Sequence, residues 1–234
     1  MTSKLKQKLQ RGEIAVAVNL AGRNPDIVEH LARLGADLAF IDCERTGIGL
    51  EAATDLIRAA RAAGLPCVVR SWSRAPEVLV RYLDRKADGI VVPHVESAEE
   101  AAAVVELVRY ACGADAAASK LVLVQIETRA AVQAVDAMAA VPGVDVFLIG
   151  PNDLSYEMTG TRGARTPEVE QAIEHVCARL RHAGRDFGMP ARIHEIARFR
   201  SLGATLLYYP VEWLLECALQ ELARAIAGTS AADE

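Results

Sequence analysis

The sequence predicts a single (β/α)8 TIM barrel of the α/β class, a closed parallel sheet wrapped by helices, on three observations. Short β-branched runs alternate with longer Ala/Leu/Glu/Arg stretches of helical period, the mark of repeated βα units. Eight strand–helix pairs can be counted, more than an open doubly wound sheet usually carries. No Pro/Gly/Ser-rich linker divides the chain, so residues 1–234 read as one domain. The open doubly wound sheet is the runner-up, but the G-x-G-x-x-G turn expected of it is missing.

The expected strands fall at 14–20 (IAVAVNL), 37–42 (DLAFID), 66–70 (PCVVR) and 88–92 (DGIVV). Four more follow at 120–126 (KLVLVQI), 144–149 (VDVFLI), 186–190 (DFGMP) and 204–208 (ATLLY). The seventh has the least strand character, being short and barely β-branched. Helical periodicity places helices near 25–34, 50–63, 75–85, 97–110, 129–139, 167–183, 194–201 and 212–227. Two segments depart from this rhythm. Residues 111–119 (ACGADAAAS) read as a flexible connection, and residues 155–167 (SYEMTGTRGARTP) as a long polar loop.

A hydrophobic fraction of 52 % allows a sizeable core, and a net charge of −5 argues against nucleic-acid or anionic-membrane partners. Cys43, Cys67, Cys112, Cys177 and Cys217 are scattered without a C-x-x-C pair, as in a reduced cytoplasmic protein. The polar start MTSKLKQKLQRGE has no apolar signal segment, and no uncharged run is long enough to span a bilayer.

In such a barrel, chemistry belongs to the C-terminal ends of the strands. Strand two delivers Asp42, Cys43, Glu44 and Arg45, strand three Arg70, and strand four Pro93 and His94. Strand five delivers Gln125 and Glu127, and strand six Gly150, Pro151, Asn152 and Asp153. None of the five lysines ends a strand, which disfavours a Schiff-base mechanism. The Gly-rich amides that hold phosphate after strands seven and eight are replaced by MPARI and YYPVE, so a non-phosphorylated substrate is expected.

Two carboxylates on neighbouring strands, Glu127 and Asp153, suit a hard cation such as Mg²⁺ or Mn²⁺, which completes its shell with water and substrate oxygens. That ion could chelate a 2-oxo acid and stabilise an enolate. The competing reading is a salt-bridged pair, for instance with Arg129. Arg70 could face an enolate oxygen or carboxylate, or could form a structural ion pair with Asp42 or Glu44. Asp42 could orient a base or anchor the strand-two loop. His94 is the one histidine at a strand's C-terminal end and the candidate imidazole base. His30, His175, His182 and His194 read as surface or cap residues, and Cys43 as a packed small side chain.

The run LVLVQIETRAAVQAVDAMAAVPGVDVFLIGPNDLSYEM resembles the metal-dependent HpcH/HpaI aldolase/citrate lyase family. The likeness extends through KLQRGEIAVAVNL, GADLAFIDCERTG, LPCVVR and DGIVVPHVESAEEA, nearly the whole chain. It implies a pyruvate-enolate type lyase on a (β/α)8-barrel, with Glu127 and Asp153 ligating Mg²⁺, Mn²⁺ or Co²⁺. It further implies Arg70 on the keto or enolate oxygen, Gln125 beside the bound 2-oxo acid, and the backbone amides around Asn152 and Asp153, in the Gly150–Pro151–Asn152–Asp153 turn, holding the substrate carboxylate. Asp84 matches an acid that approaches a neighbouring subunit's site. The implied assembly is a homo-oligomer, trimer or hexamer, in which helix 212–227 packs on a neighbour; that segment, VEWLLECALQELARAI, is itself strongly apolar and offers Trp213 as an interface anchor.

Two departures stand out. The family's D-x-E-H motif ends here in Arg45, which stays protonated and cannot exchange a proton as histidine does. The family's Y-P-P-x-G-x-R-G segment before strand five is absent. Metal-dependent carbon–carbon lyase chemistry is therefore expected, with oxaloacetate decarboxylation asking least of the missing base. The alternative is a non-catalytic member that binds metal and oxo acid or serves as an assembly subunit.

Overall fold

The computed structural model describes residues 4–228; the remaining ends of the expected 1–234 domain, 1–3 and 229–234, lie outside the described residues. The first helix, α1 (Lys4–Gln10), precedes the first repeat, β1 (Ala15–Asn19) and α2 (Pro25–Leu34). Then come β2 (Leu38–Asp42), α3 (Leu50–Ala63), β3 (Cys67–Arg70), α4 (Pro76–Asp84), β4 (Gly89–Val92) and α5 (Ala98–Cys112). A short α6 (Ala114–Ala117) leads to β5 (Leu121–Ile126), α7 (Arg129–Gln133), α8 (Val135–Ala139), β6 (Val146–Ile149) and α9 (Pro151–Thr159). The chain ends with α10 (Pro167–His182), β7 (Phe187–Pro190), a 3-10 turn (Ile193–Glu195), α11 (Ile196–Leu202), β8 (Leu206–Pro210) and α12 (Val211–Ala227).

The eight strands pair in parallel and in chain order, and β8 closes on β1, giving one (β/α)8-barrel. Every strand is covered by helices outside and side chains inside, so the strands read as nearly continuous apolar runs rather than alternating ones. The inward residues nevertheless follow period two. Ala15 and Ala17, Leu38 and Phe40, Val68, Leu121 and Leu123, Val146 and Leu148, and Leu206 pack one apolar interior cluster. One step further along the same strands, the inward positions become Asn19, Asp42, Arg70, Gln125 and Tyr208, all lining the cavity at the barrel mouth. The interior is therefore sealed below and polar above.

Register sets this upper layer. Asp42 lies opposite Arg70 across β2 and β3. Pairing of Ile126 with Ile149 across β5 and β6 sets Glu127 beside Gly150. At the other face, Asp37, Asp88 and Asp145 accept hydrogen bonds from the N–H groups of Val16, Cys67 and Val122 on the preceding strands.

Four differences from the sequence reading have physical causes. The polar N-terminal segment contains α1, whose Leu5 and Leu9 join the interior cluster and plug the barrel floor. Lys6 and Lys8 hold it there through Asp145 at 2.8 Å and Asp37 at 2.7 Å. The expected flexible connection holds the helical turn α6 after the break at Gly113 (φ 77°). The expected loop at 155–167 begins within α9, which starts at Pro151 with its φ pre-set for the first helical turn. The single helix expected at 129–139 is broken at Ala134 into α7 and α8.

The weakly β-branched β7 does form. Gly188 makes it possible: a Cβ there would stand 2.2 Å from the Leu206 carbonyl oxygen of β8. At the C-terminus, α12 buries only Val211, while Leu214, Leu215, Leu219, Leu222 and Ile226 face solvent. Among the described residues no helix is long and apolar enough to cross a membrane.

Candidate active site

A cavity of about 850 Å³ opens at the C-terminal face, where the ends of every strand but β4 converge. Its floor is organised by Arg70. The guanidinium rests over the Phe40 ring at 5.6 Å and donates twice to Asp42, Nε to Oδ1 at 2.9 Å and Nη2 to Oδ2 at 2.5 Å. A third, longer bond runs from Nη1 to Gln125 Oε1 at 3.5 Å. Asp42 also accepts the backbone N–H groups of Glu44 and Arg45, both at 3.1 Å, so the strand-two loop is tied to the same carboxylate.

Burial alone would raise the Asp42 pKa. The Arg70 bonds and charge, with the two backbone donors, more than offset this and hold it below the ordinary carboxylate value. Burial pulls the other way on Arg70, yet Asp42 and Glu44 raise it further above its usual range, so it stays cationic. Structural ion pairing and an inward-facing guanidinium are thus both realised at Arg70.

Glu127 is fully buried and accepts two hydrogen bonds: from His94 N–H to Oε1 at 2.8 Å, and from Gln125 Nε2 to Oε2 at 2.5 Å. Burial raises its pKa. The His94 backbone bond and imidazole counteract this, while Glu44 and Asp153 push the same way as burial. Gly150 permits the close approach of β6, since a Cβ would lie 2.8 Å from Glu127 Oε2. Asp153 stands in the first turn of α9, where the helix N-terminus favours negative charge. Its Oδ1 accepts from Arg45 Nη2 at 2.6 Å and lies 3.7 Å from Arg162 Nε. Arg129 takes no part in this pairing; it binds Glu157 and the Met158 carbonyl.

Glu127 and Asp153 line the cavity, and Glu44, outside its lining, lies near enough to act on the Glu127 charge. Glu44 Oε2 lies 3.1 Å from Arg70 Nε, but that N–H is aimed at Asp42, and the oxygen is buried without a hydrogen-bond partner. The donor set of Glu127 and Asp153 is all oxygen, and Glu44 and Asp153 add to the burial that raises the Glu127 pKa. A hard divalent cation fits such a set. Among the described residues no three His, Cys, Asp or Glu side chains form a complete metal cage, so water and substrate oxygens would have to fill the shell.

His94 adopts φ 52°, uncommon for a residue with a Cβ. That turn puts Nδ1 3.3 Å from Glu127 Oε1 and Nε2 3.6 Å from Glu44 Oε1. The ring is 49 % exposed and lies beside the cavity rather than among its lining residues. Pro151, Asn152, Gly150, Gln125 and Arg45 all line the cavity. Asp84 does not. It is exposed at the C-terminal end of α4, at the opposite face from its own chain's mouth.

Cys43 is a packed side chain, as its burial raises its pKa to about 11. No lysine lines the cavity among the described residues.

Several lining residues escaped the sequence reading. Asn19 and Tyr208 hydrogen-bond to each other across β1 and β8. Period two along those strands could have found them. Arg162, Arg165 and Arg192 come from loops, for which no period applies. His194 and Trp213 were read as a cap and an interface anchor, but both line the cavity. Trp213 carries the Arg192 guanidinium 4.0 Å over its ring.

The HpcH/HpaI aldolase/citrate lyase family profile matches residues 16–206. A hydroxypyruvate/pyruvate aldolase from Roseovarius nubinhibens is 32 % identical over 248 residues, covering 95 % of this chain and 96 % of the relative. A solved structure of an HpcH/HpaI aldolase/citrate lyase family protein from Burkholderia cenocepacia J2315 superposes with a TM-score of 0.85 at 30 % identity. It covers 96 % of this chain and 99 % of that one. The solved structure of a citrate synthase, SbnG, follows at TM-score 0.84 and 27 % identity, covering 96 % and 98 %.

Proposed function

The chain belongs to the HpcH/HpaI aldolase/citrate lyase family and is a carbon–carbon lyase of aldolase type; on that premise we propose that it acts on a small, non-phosphorylated 2-oxo acid through a pyruvate enolate, with a divalent cation at Glu127 and Asp153. The observation that carries the proposal is the Asp42–Arg70–Gln125–Glu127 chain of hydrogen bonds on the cavity floor. It fixes one guanidinium beside an acid pair in a site with no lysine among the described lining residues. When bound, Mg²⁺, Mn²⁺ or Co²⁺ supplies Lewis-acid polarisation of the substrate's keto and carboxylate oxygens.

The chain's own residues do the rest. Arg70, held by Asp42, offers its N–H groups to the oxygen on which negative charge develops. Gln125 steadies both Arg70 and Glu127. The backbone amides of Asn152 and Asp153, at the start of α9, receive the substrate carboxylate. Arg45 cannot relay a proton, so reactions that begin with deprotonation of a hydroxyl are disfavoured. Decarboxylation of oxaloacetate needs no such base, because the electrons come from the departing carboxylate. His94 is the nearest imidazole and the candidate for returning a proton to carbon. The non-catalytic alternative is set aside.

We also read the protein as a homo-oligomer, trimer or hexamer. The five apolar side chains that α12 leaves in solvent support this, and Asp84 could serve only a neighbour's site.

The test is pyruvate release from oxaloacetate with and without Mn²⁺, in wild type and Glu127→Gln. Cation-dependent turnover lost in the variant is expected. Equal turnover in both, or none with any of the three cations, would overturn the proposal.

A further inference from the structure

The arginines around the cavity differ in how far their charge is already neutralised. Arg70 is held twice by Asp42. Arg165 pairs with Glu170 and with Glu195 at 3.0 Å. Arg192 binds Glu216 at 2.5 Å and covers Trp213. Arg45 and Arg162 stand apart, because both guanidiniums converge on one oxygen, Asp153 Oδ1, at 2.6 and 3.7 Å. The other acid near Arg45 is Glu44, 3.7 Å from Nε and 3.1 Å from Arg70. Two cations therefore share one carboxylate, and that carboxylate is the one assigned to the metal.

Resting on the metal reading above, we propose that Arg45 occupies Asp153 as an internal cation, that a divalent metal displaces it, and that the released Arg45 forms with Arg162 a subsite for a second carboxylate of the substrate. A dication at Asp153 removes the acceptor and adds like charge beside both guanidiniums. Arg45 is 39 % and Arg162 52 % exposed, so neither is locked by packing, and both line the same cavity as Glu127 and Asp153. A planar donor fork at a cavity wall, released from Asp153 and left only with Glu44 at 3.7 Å, which Arg70 shares, matches a carboxylate in shape and charge. The substrate class is thus a dicarboxylic or tricarboxylic oxo acid, or an oxo acid paired with a carboxylate-bearing acceptor. Metal binding and recognition of that carboxylate are coupled, each tightening the other by the same factor.

The test reads Mn²⁺ binding by electron paramagnetic resonance and calorimetry, not turnover. Arg45→Met removes the competing charge and should bind Mn²⁺ more tightly than wild type, by up to about fivefold, the scale of a half-exposed ion pair. Arg45→Lys, which keeps the charge, should resemble wild type. Succinate should tighten Mn²⁺ binding to wild type, and butyrate, with one carboxylate on the same carbon count, should not. The succinate effect should vanish in Arg45→Met. Equal or weaker Mn²⁺ binding by Arg45→Met, or equal effects of succinate and butyrate, overturns the inference while leaving the metal site intact. No Mn²⁺ uptake by either protein, or undiminished uptake by Glu127→Gln, overturns the metal reading and the release built on it.

Discussion

Replacing Arg70 with lysine keeps a positive charge but removes the fork, and the structure indicates what that costs. Arg70 reaches both Asp42 oxygens and Gln125 Oε1 through three nitrogens. One ammonium cannot span those positions, so at least one charge-assisted bond is lost, worth about 1.5–3 kcal/mol. On the proposed role of Arg70, the oxygen that gains charge loses a fixed donor, an effect of ~10²–10³ in kcat for oxyanion contacts elsewhere. Arg70→Met is harsher, leaving Asp42 buried and unpaired at about 3–5 kcal/mol. For a chain of this length that lowers Tm by roughly 6–20 °C. The pH dependence has a definite sign. Arg70 depresses the Asp42 pKa, so its stabilisation is complete above the unfolded carboxylate value, about 3.9, and is lost as pH falls through the lower folded value. The Arg70→Met deficit should therefore be full at neutral pH and shrink below about pH 4. Oxaloacetate decarboxylation kinetics and thermal unfolding between pH 3 and 7 measure both effects. An Arg70→Lys enzyme with kcat within about threefold of wild type would refute the fork argument.

Burial and the facing carboxylates raise the Glu127 pKa, so metal-free protein should lose stability as pH rises from the ordinary glutamate value through the raised one. Saturating Mn²⁺ should flatten that slope in thermal melts; an unchanged slope counts against the site. Gly150→Ala forces a Cβ to within 2.8 Å of Glu127 Oε2 and should weaken Mn²⁺ binding about tenfold or more without unfolding the barrel, as calorimetry beside circular dichroism would show. Leu5→Ala opens the barrel floor and should cost about 2–5 kcal/mol in urea unfolding with little change in kcat, as the cavity lies at the other end. Leu219→Arg on α12 should shift the light-scattering mass toward monomer, and an unchanged mass would remove the helix from the interface.

The barrel was legible because its strands are buried on both faces, which writes each one as an unbroken apolar run. Even β7, with little β-branching, kept its place in the count of eight. The helix α1 was not legible because its signal is only two leucines, Leu5 and Leu9, within a charged segment. What makes it a helix is docking under the barrel, with Lys6 and Lys8 reaching acids far along the chain. The start of α9 was missed for a related reason. Its polar residues show no apolar stripe, and Pro151 and the Gly160 αL cap define its ends instead.

The same contrast divides the site. Asp42, Arg70, Gln125 and Glu127 were found because strand ends inherit the period and register of the sheet, which fix where each side chain points. Loop residues inherit neither. Arg162, Arg192 and His194 become cavity residues through folding of the loops after β6 and β7, and no spacing in the sequence announces them. Arg45 lies between the two cases. The resemblance to the family's D-x-E-H motif implied that a proton-transferring histidine was missing from its position, but not what the guanidinium would do instead. That depended on Asp153, 108 residues away and one contact of 2.6 Å. A substitution that looks like a loss when read along the strand becomes, when read across the mouth, a cation facing the carboxylate proposed to hold the metal. For that reason the metal affinity of Arg45→Met distinguishes between the two readings more directly than any aldolase assay.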